Sequence, residues 1–476
     1  MVWAFTLLYL FLPNANPSSD AIGYAATQRW DPLHCSAHHV LYHVWWSFLL
    51  KFFPFLNGLN LLALMQAGNA LAAGIVLWLS GLIMSRLREE YTGAVIVFIG
   101  ASFGFMRFAT ENETYIMPLL FGVLALWFFS GNLRGRWWWA SLSLALAMLF
   151  HQTYLFWWMA AVWFAYRREG IRMAFIPALA ILFTALVYVW AAWSEAEPLW
   201  RFVFHDVYEG GVQTSIGLKN FYMTPISLLR SFLQVHGYMF WSWQHDGIWA
   251  VLLSVVAFAL LVVAGVILLR SVKKPVSNPL WTHFLLPASI LHLLFAFYSE
   301  GNAEFMVMIP FLLATGAALC ASFALRPMFI TGLAMLFWNL VHGLLPWHFR
   351  DFYGHEQLLS KVADGPPDVY LVSEEPVLMR NLYYYHYGIQ DTRHILESPE
   401  WAVSKGKSAE SAIVAIDSLL KQPSRFVWYA DYSRFLLNRA SLTSEKRGIK
   451  GMERFSLMPT DSFRNMNGVH ALYRLR

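Results

Sequence analysis

Long apolar stretches broken by short polar connections run through the first three quarters of this chain. An opening run, "MVWAFTLLYLFLP", is followed by a polar segment from Asn14 to His43. Apolar stretches then lie at about 59–84, 91–109, 115–131, 137–166, 173–193, 247–270, 281–298, 305–324 and 328–345. An α-helix rises about 1.5 Å per residue, so about 20 apolar residues cross a hydrocarbon core of roughly 30 Å. Stretches of about that length predict membrane-spanning helices. The opening run, Val2 to Leu12, is too short on this measure. It reads as a cleaved signal peptide lacking a basic flank, as a helix that starts upstream of Met1, or as a short helix packed among others. We take it as a retained first helix.

The breaks assign sides. "RLRE" (Arg86–Glu89), "RGR" (Arg134–Arg136), "RREGIR" (Arg167–Arg172), "RSVKK" (Arg270–Lys274) and Arg326 are basic and predict cytoplasmic connections; "TENET", Ser194 to Asp246 and "SEGNAE" are acidic or mixed and predict external ones. Trp137 to Tyr166 has basic flanks on both sides, so an even number of crossings lies between them. Two short helices turning near "FHQTY" (Phe150–Tyr154) meet that requirement. The count becomes 11 spans, N-terminus inside and C-terminus outside.

After Pro346 the pattern changes. "DVYLVS" (Asp368–Ser373), "RHILES" (Arg393–Ser398) and "RFVWYAD" (Arg425–Asp431) read as strands, with "PVLMRNLYYYHYG" and "AESAIVAIDSLLKQ" as helices between them. The expected fold class is an all-α polytopic membrane protein with a small C-terminal external α/β domain. The expected domains are 1–345, transmembrane, and 346–476, external. The "YYYHY" run reads as one face of a packed helix.

Composition agrees with this reading. Hydrophobic residues make up 58% and charged residues 13%, about half the charge of an average soluble protein. Mean hydropathy is +0.46. The net charge of +5 is spread over short interhelical clusters, which argues for membrane topology and against nucleic acid as a partner. Two cysteines, Cys35 in a loop and Cys320 in an apolar stretch, make no disulfide framework, and no bridge between them is expected.

Candidate chemistry gathers on the external side. Asp20, Arg29, Asp31, His34, His38, His39 and His43 lie in the first loop, and Glu111 and Glu113 in the second. His151 lies at the third, Arg201, His205, Asp206, Glu209, Lys219 and Arg230 in the fourth, and Glu300 and Glu304 in the fifth. Ionisable groups beside the membrane are costly unless satisfied or used. A carboxylate there can take a proton from a hydroxyl, and arginines can hold a phosphate.

Three features give a family resemblance. They are a first external loop with an acid near its start ("NPSSDAIGY"), a multi-span core with "ATENETYIMP" after the third span, and a hydrophilic domain after the last helix. This layout resembles the GT-C superfamily of polyprenyl-phosphate-sugar-dependent glycosyltransferases, such as protein O-mannosyltransferases and aminoarabinose transferases of lipid A. "HHVLYH" and "FYSEGNAEFMVMIPFLL" look like segments of uncharacterised bacterial members. The resemblance implies transfer of a sugar from a polyprenyl-phosphate donor to a glycan, lipid or protein acceptor, with inversion. It implies Asp20 as base, with Glu111 and Glu113 as candidates for a second acidic role because Ala21 follows Asp20. Arg29, His38, His39, His151, Arg201, His205, Arg230 and Glu304 are the expected substrate-binding residues. No cofactor is assigned; arginine or a divalent cation would hold the phosphate charge. The expected location is a bacterial inner membrane, with active site and C-terminal domain facing the periplasm.

Each signal has a plainer reading. Asp20 follows "SS" and can cap a helix. Arg29 can anchor at the interface. His34/His38 and His39/His43 share helix-face spacing, but no HExxH accompanies them, so hydrogen-bonded histidines are preferred to metal ligands. Glu111 and Glu113 flank Asn112 of a sequon too close to the next span for glycosylation. "HDVYEGG" can be a surface turn, and "SEGNAE" a tight connection capped by Asn302. Two rival functions remain. An O-antigen polymerase or ligase would carry an arginine cluster in its large loop, and a lipid transporter or flippase would show paired repeats and charges in mid-span. Neither pattern is present in the sequence.

Overall fold

In the computed structural model the apolar stretches become helices and the C-terminal alternation becomes a sheet. The structure describes residues 1–131, 135–205, 216–235, 238–363, 369–373, 375–390, 394–404, 407–422, 425–430, 452, 454–466 and 468–476. Asp206 and Glu209 lie outside the described residues. The chain divides into two compact units, one of Met1–Pro13, Pro32–Val235 and Val251–Leu345, the other of Asn14–Asp31, His236–Ala250 and Pro346–Arg476.

The first unit is helical. It contains α1 (Val2–Phe11), α3 (Val40–Phe52), α4 (Leu61–Leu87), α5 (Thr92–Ala101), α6 (Phe103–Thr110), α7 (Ile116–Ser130), α8 (Arg136–Phe150), α9 (Leu155–Glu169), α10 (Ile171–Ser194), α11 (Leu199–Val203) and α12 (Leu218–Phe232). It also holds most of α13 (Tyr238–Arg270, broken at Gly247), then α14 (Leu286–Tyr298, entered by a π-type turn at Trp281–Leu285), α15 (Ile309–Leu319) and α16 (Leu325–Asn339). The helix α2 (Ser19–Trp30) belongs to the second unit.

Among the described residues five helices are long and apolar enough to cross a membrane, or six if the bent pair Glu89–Ala101 and Phe103–Thr110 counts as one span. The protein is an integral membrane protein. Val2–Phe11, Ile116–Ser130 and Ala303–Leu319 are shorter apolar helices. The stretch 137–166 divides as α8 and α9 around His151, with a 3₁₀ turn at Gln152–Tyr154. The opening run is a ten-residue helix packed on α4 and α6. Its Tyr9 is buried and donates to the Gly100 carbonyl at 2.6 Å.

The break between α5 and α6 bends the chain by 64° at Ser102. Freed backbone groups within a bilayer need partners from neighbouring helices. Asn339 of α16 supplies them. Its Nδ2 donates to the Ala101 carbonyl at 2.7 Å and to Phe232 O at 2.8 Å, while its Oδ1 accepts from the Gln234 amide at 2.8 Å. One buried amide side chain thereby stitches α5, α16 and the end of α12.

The second unit carries a five-stranded sheet of β1 (Val369–Ser373), β2 (Ile395–Glu397), β3 (Phe426–Ala430), β4 (Leu457–Asn465) and β5 (Gly468–Leu475), ordered β2-β1-β3-β5-β4. The first three run parallel and the last two form an antiparallel hairpin. Helices α17 (Leu345–Phe349), α18 (His355–Ala363), α19 (Pro376–Tyr387), α20 (Pro399–Ser404) and α21 (Ala409–Leu420) accompany it. Val372, Val427, Tyr429 and Leu475 of the sheet pack with Ile413, Ile416 and Leu419 of α21. Three strands and two helices fall where the sequence alternation places them. The β4–β5 hairpin was not foreseen, because exposed residues dominate β4.

Candidate active site

The first unit holds a buried constellation of charge and hydrogen bonds around residues 107–115. Helix α6 ends at Thr110, and Glu111 begins an extended turn. Glu111, Asn112, Glu113 and Thr114 are all buried, at 1%, 0%, 2% and 0% exposure. Such a polar loop persists in an apolar core only when its groups are satisfied. Asn69 of α4 donates its amide hydrogens to the carbonyls of Glu111 and Glu113, at 2.7 and 2.6 Å. Tyr42 of α3 donates its hydroxyl to Asn112 Oδ1 at 2.5 Å. Asn112 of the sequon is thus a core residue.

The acids converge on one cation. Arg107 Nε lies 3.2 Å from Glu111 Oε2, and Glu304 and Glu113 act electrostatically on the same guanidinium. Glu304 Oε2 accepts from the Tyr115 hydroxyl at 3.0 Å, and Asn302 Oδ1 caps the turn by accepting from the Glu304 amide at 3.0 Å. The structure therefore brings together Glu111, Glu113 and Glu304, three of the sequence-predicted residues.

Histidines line a neighbouring node. The His151 ring centroid lies 4.8 Å from that of His39 and 5.0 Å from that of Tyr115. His151 Nδ1 accepts from the Thr153 amide at 3.2 Å, which leaves the ring proton on Nε2. Burial, then the neighbouring His39, holds the His151 imidazole well below the ordinary range, so it is neutral. His39 Nδ1 donates to the Phe150 carbonyl at 3.1 Å, and His38 Nδ1 to Gln152 Oε1 at 3.0 Å. Gln152 Nε2 in turn donates to the Ala37 and Val203 carbonyls, tying α11 to this node. Arg201 is exposed on α11, and His205 follows it, partly buried. Arg230 lies partly buried in the last turn of α12, beside Ser231, whose backbone abuts Gly104 of α6. Among the described residues no group of three His, Cys, Asp or Glu is placed to hold a metal ion. Cys35 and Cys320 are both buried and free.

In the second unit, Asp20 is exposed in the first turn of α2. The cap of that helix is Ser18, whose side chain accepts from the Ala21 amide at 3.0 Å, so Asp20 is not used as the cap. Arg29 lies over two aromatic rings, 5.2 Å from the Trp30 centroid and 5.3 Å from that of Tyr385.

Sequence reasoning missed Arg107, Asn69, Tyr42 and Tyr115. The signal was available for the first two, a charge and an amide inside apolar stretches. Nothing local marked the tyrosines, whose partners lie 70 and 189 residues away.

No family model matches the chain, and no curated protein matches it. Among solved structures, the crystal structure of ArnT from Cupriavidus metallidurans bound to undecaprenyl phosphate aligns over 99% of this chain and 97% of that chain, with a TM-score of 0.56 at 11% identity. The chain has an ArnT-like fold. The apo state of ArnT aligns over the same shares, with a TM-score of 0.45 at 12% identity. The likeness to ArnT runs through both the helical part and the sheet, since nearly the whole chain is covered.

Proposed function

We propose that the protein is a GT-C-type membrane glycosyltransferase, transferring a sugar from a polyprenyl-phosphate donor to an acceptor hydroxyl. The observation that carries the reading is the ArnT-like fold over nearly the whole chain, the aligned structure being one bound to undecaprenyl phosphate. The set of Arg107, Glu111, Glu113 and Glu304, two of its acids buried and the other two members partly buried, supports it, because charge kept inside an apolar bundle is costly without a use. Residues 1–345 are taken as the transmembrane catalytic domain and 346–476 as an external domain. The proposed location is a bacterial inner membrane with the chemistry on the periplasmic side.

Asp20 is the proposed base. It takes the proton of the acceptor hydroxyl as that oxygen attacks the anomeric carbon, the bond to the phosphate oxygen breaks, and the configuration inverts. Phosphate leaves as an anion and needs charge stabilisation rather than a proton. Arg29, Arg201 and Arg230 are the proposed phosphate ligands. His38, His39, His151, His205 and Glu304 are proposed to contact substrate, with Glu111 and Glu113 in the second acidic role.

The test uses the full chain in nanodiscs with a panel of undecaprenyl-phosphate-linked sugars. Release of undecaprenyl phosphate is followed by mass spectrometry. Turnover of one member, lost in Asp20→Asn at normal expression, is expected. Normal turnover in Asp20→Asn removes the base assignment. Movement of labelled lipid across the bilayer without any covalent product replaces the transferase by a transporter.

A further inference from the structure

We propose that helix α19 of the sheet unit is the platform that fixes the position of Asp20, with Asn381 and Tyr385 as its positioning residues. The inference rests on Asp20 being the base, and it gives the C-terminal part of the chain a role in the reaction.

A twelve-residue helix is marginal by itself in water, so α2 takes its place from what it docks on. It docks on α19, some 360 residues later in sequence. Asn381 Nδ2 donates to the carbonyl of Ser19, the residue before Asp20, at 2.8 Å, and lies 3.3 Å from Ser19 Oγ. One turn along α2, Gly23 makes that approach possible, since a Cβ there would sit 2.9 Å from Asn381 Nδ2. At the far end, Trp30 Nε1 donates to the Tyr385 carbonyl at 3.0 Å. The Trp30 ring covers Gly388, whose φ of +69° closes α19 and whose Cβ would meet the ring at 3.0 Å. Arg29 reaches over the Tyr385 ring from the same turn of α2.

The segment leading into α2 is held just as closely. Asn16 Nδ2 donates to the carbonyls of Trp347 and Arg350, at 2.9 and 2.6 Å, and its Oδ1 accepts from the Phe352 amide at 2.7 Å. These contacts before, at the start of and at the end of α2 come from residues beyond 345. Asp20 is exposed, so this frame acts on it through the backbone of α2 and not by covering its carboxylate. A displacement of about 1 Å at a reacting group can cost roughly a hundredfold in rate.

The test uses the full chain in nanodiscs with Asn381→Leu, which removes the amide donor, and Trp30→Phe, which removes the indole N–H and part of the ring that covers Gly388. Amide hydrogen exchange in residues 19–30 is expected to quicken in both, with the spans unchanged. With the lipid-linked sugar selected by the release assay, Asn381→Leu is expected to lower kcat at least tenfold and to leave KM for the donor within about twofold. On an Asp20→Asn background it is expected to add no further loss, since it acts through that residue. Unchanged exchange in both variants overturns the platform. So does a loss on the Asp20→Asn background equal to that in the wild type, which marks a general structural role. Normal turnover in Asp20→Asn overturns instead the reading of Asp20 as base, and exchange in α2 then still decides whether α19 holds it.

Discussion

Arg107 and Glu111 form an ion pair across one helical turn, Nε to Oε2 at 3.2 Å, with the Glu111 side chain 1% exposed. Breaking a buried pair leaves an uncompensated charge, at a cost of about 3–5 kcal/mol. The two partners are not equivalent here. Glu111→Gln leaves Arg107 with Glu113 and Glu304 as counter-charges. Arg107→Met leaves several acids with their shared cation gone. Thermal unfolding in detergent should show a much larger drop for Arg107→Met than for Glu111→Gln. The double variant should melt above Arg107→Met, because it removes one of the stranded carboxylates.

Asn69 offers a different test of the same loop. Its two donors hold the Glu111 and Glu113 carbonyls, and it is itself buried. Asn69→Leu strands two buried carbonyls, each worth about 1–3 kcal/mol. Asn69→Asp strands both as well and adds a buried negative charge beside an acidic loop. The aspartate variant should therefore be the less stable of the two. Equal melting points would show that Asn69 does not govern the loop.

Stability should fall with acid. Burial, then His34 and His39, lowers the His43 pKa from the ordinary 6.5 to about 3. The unfolded chain takes up that proton near pH 6.5 and the folded protein does not. The stabilisation is thus complete above pH 6.5 and is lost as pH falls from there toward about 3. The loss is about 1.4 kcal/mol per pH unit for each such group. His151, also held low, adds in the same direction. Melting temperature measured from pH 7.5 to 4.5 should decline, and His43→Leu should flatten the slope. A flat wild-type profile would contradict neutral buried imidazoles.

The parts legible in the sequence were those written in periodicity and breaks. The α8–α9 turn at His151 was readable because both flanks of the stretch are basic, and β1, α19, β2, α21 and β3 because apolar periods alternate between turn residues. The site was only half legible. Glu111, Glu113 and Glu304 stood out as acids in short connections, but their partners were hidden. Arg107 is one charge inside an apolar run, and Asn69 one of two amide side chains, with Gln66, in a 27-residue helix. What makes them functional candidates is contact across the fold, which composition does not encode. Ser18 and Asp20 illustrate the same limit, since either can cap a helix and only geometry gives the cap to Ser18.

Gly301 ties the turn at "SEGNAE" to the placement of Glu304. Its φ is +73°, a conformation open to glycine, and a Cβ there would lie 2.6 Å from the Thr224 amide nitrogen and 2.7 Å from the Met223 carbonyl carbon. These are backbone atoms of α12, so the clash is not relieved by rotating a side chain. Glu300 beside it has a φ of 56° and pairs with Lys219, so the turn is pinned to α12 on both counts. Gly301→Ala should push the turn off α12 and carry with it Glu304, whose carboxylate accepts from Tyr115. The expected result is a loss of several degrees in melting temperature together with loss of lipid-phosphate release. Lys219→Met, which removes only the ion pair at a partly exposed position, should leave release close to wild type. If Gly301→Ala releases undecaprenyl phosphate normally, the placement of Glu304 does not depend on this turn.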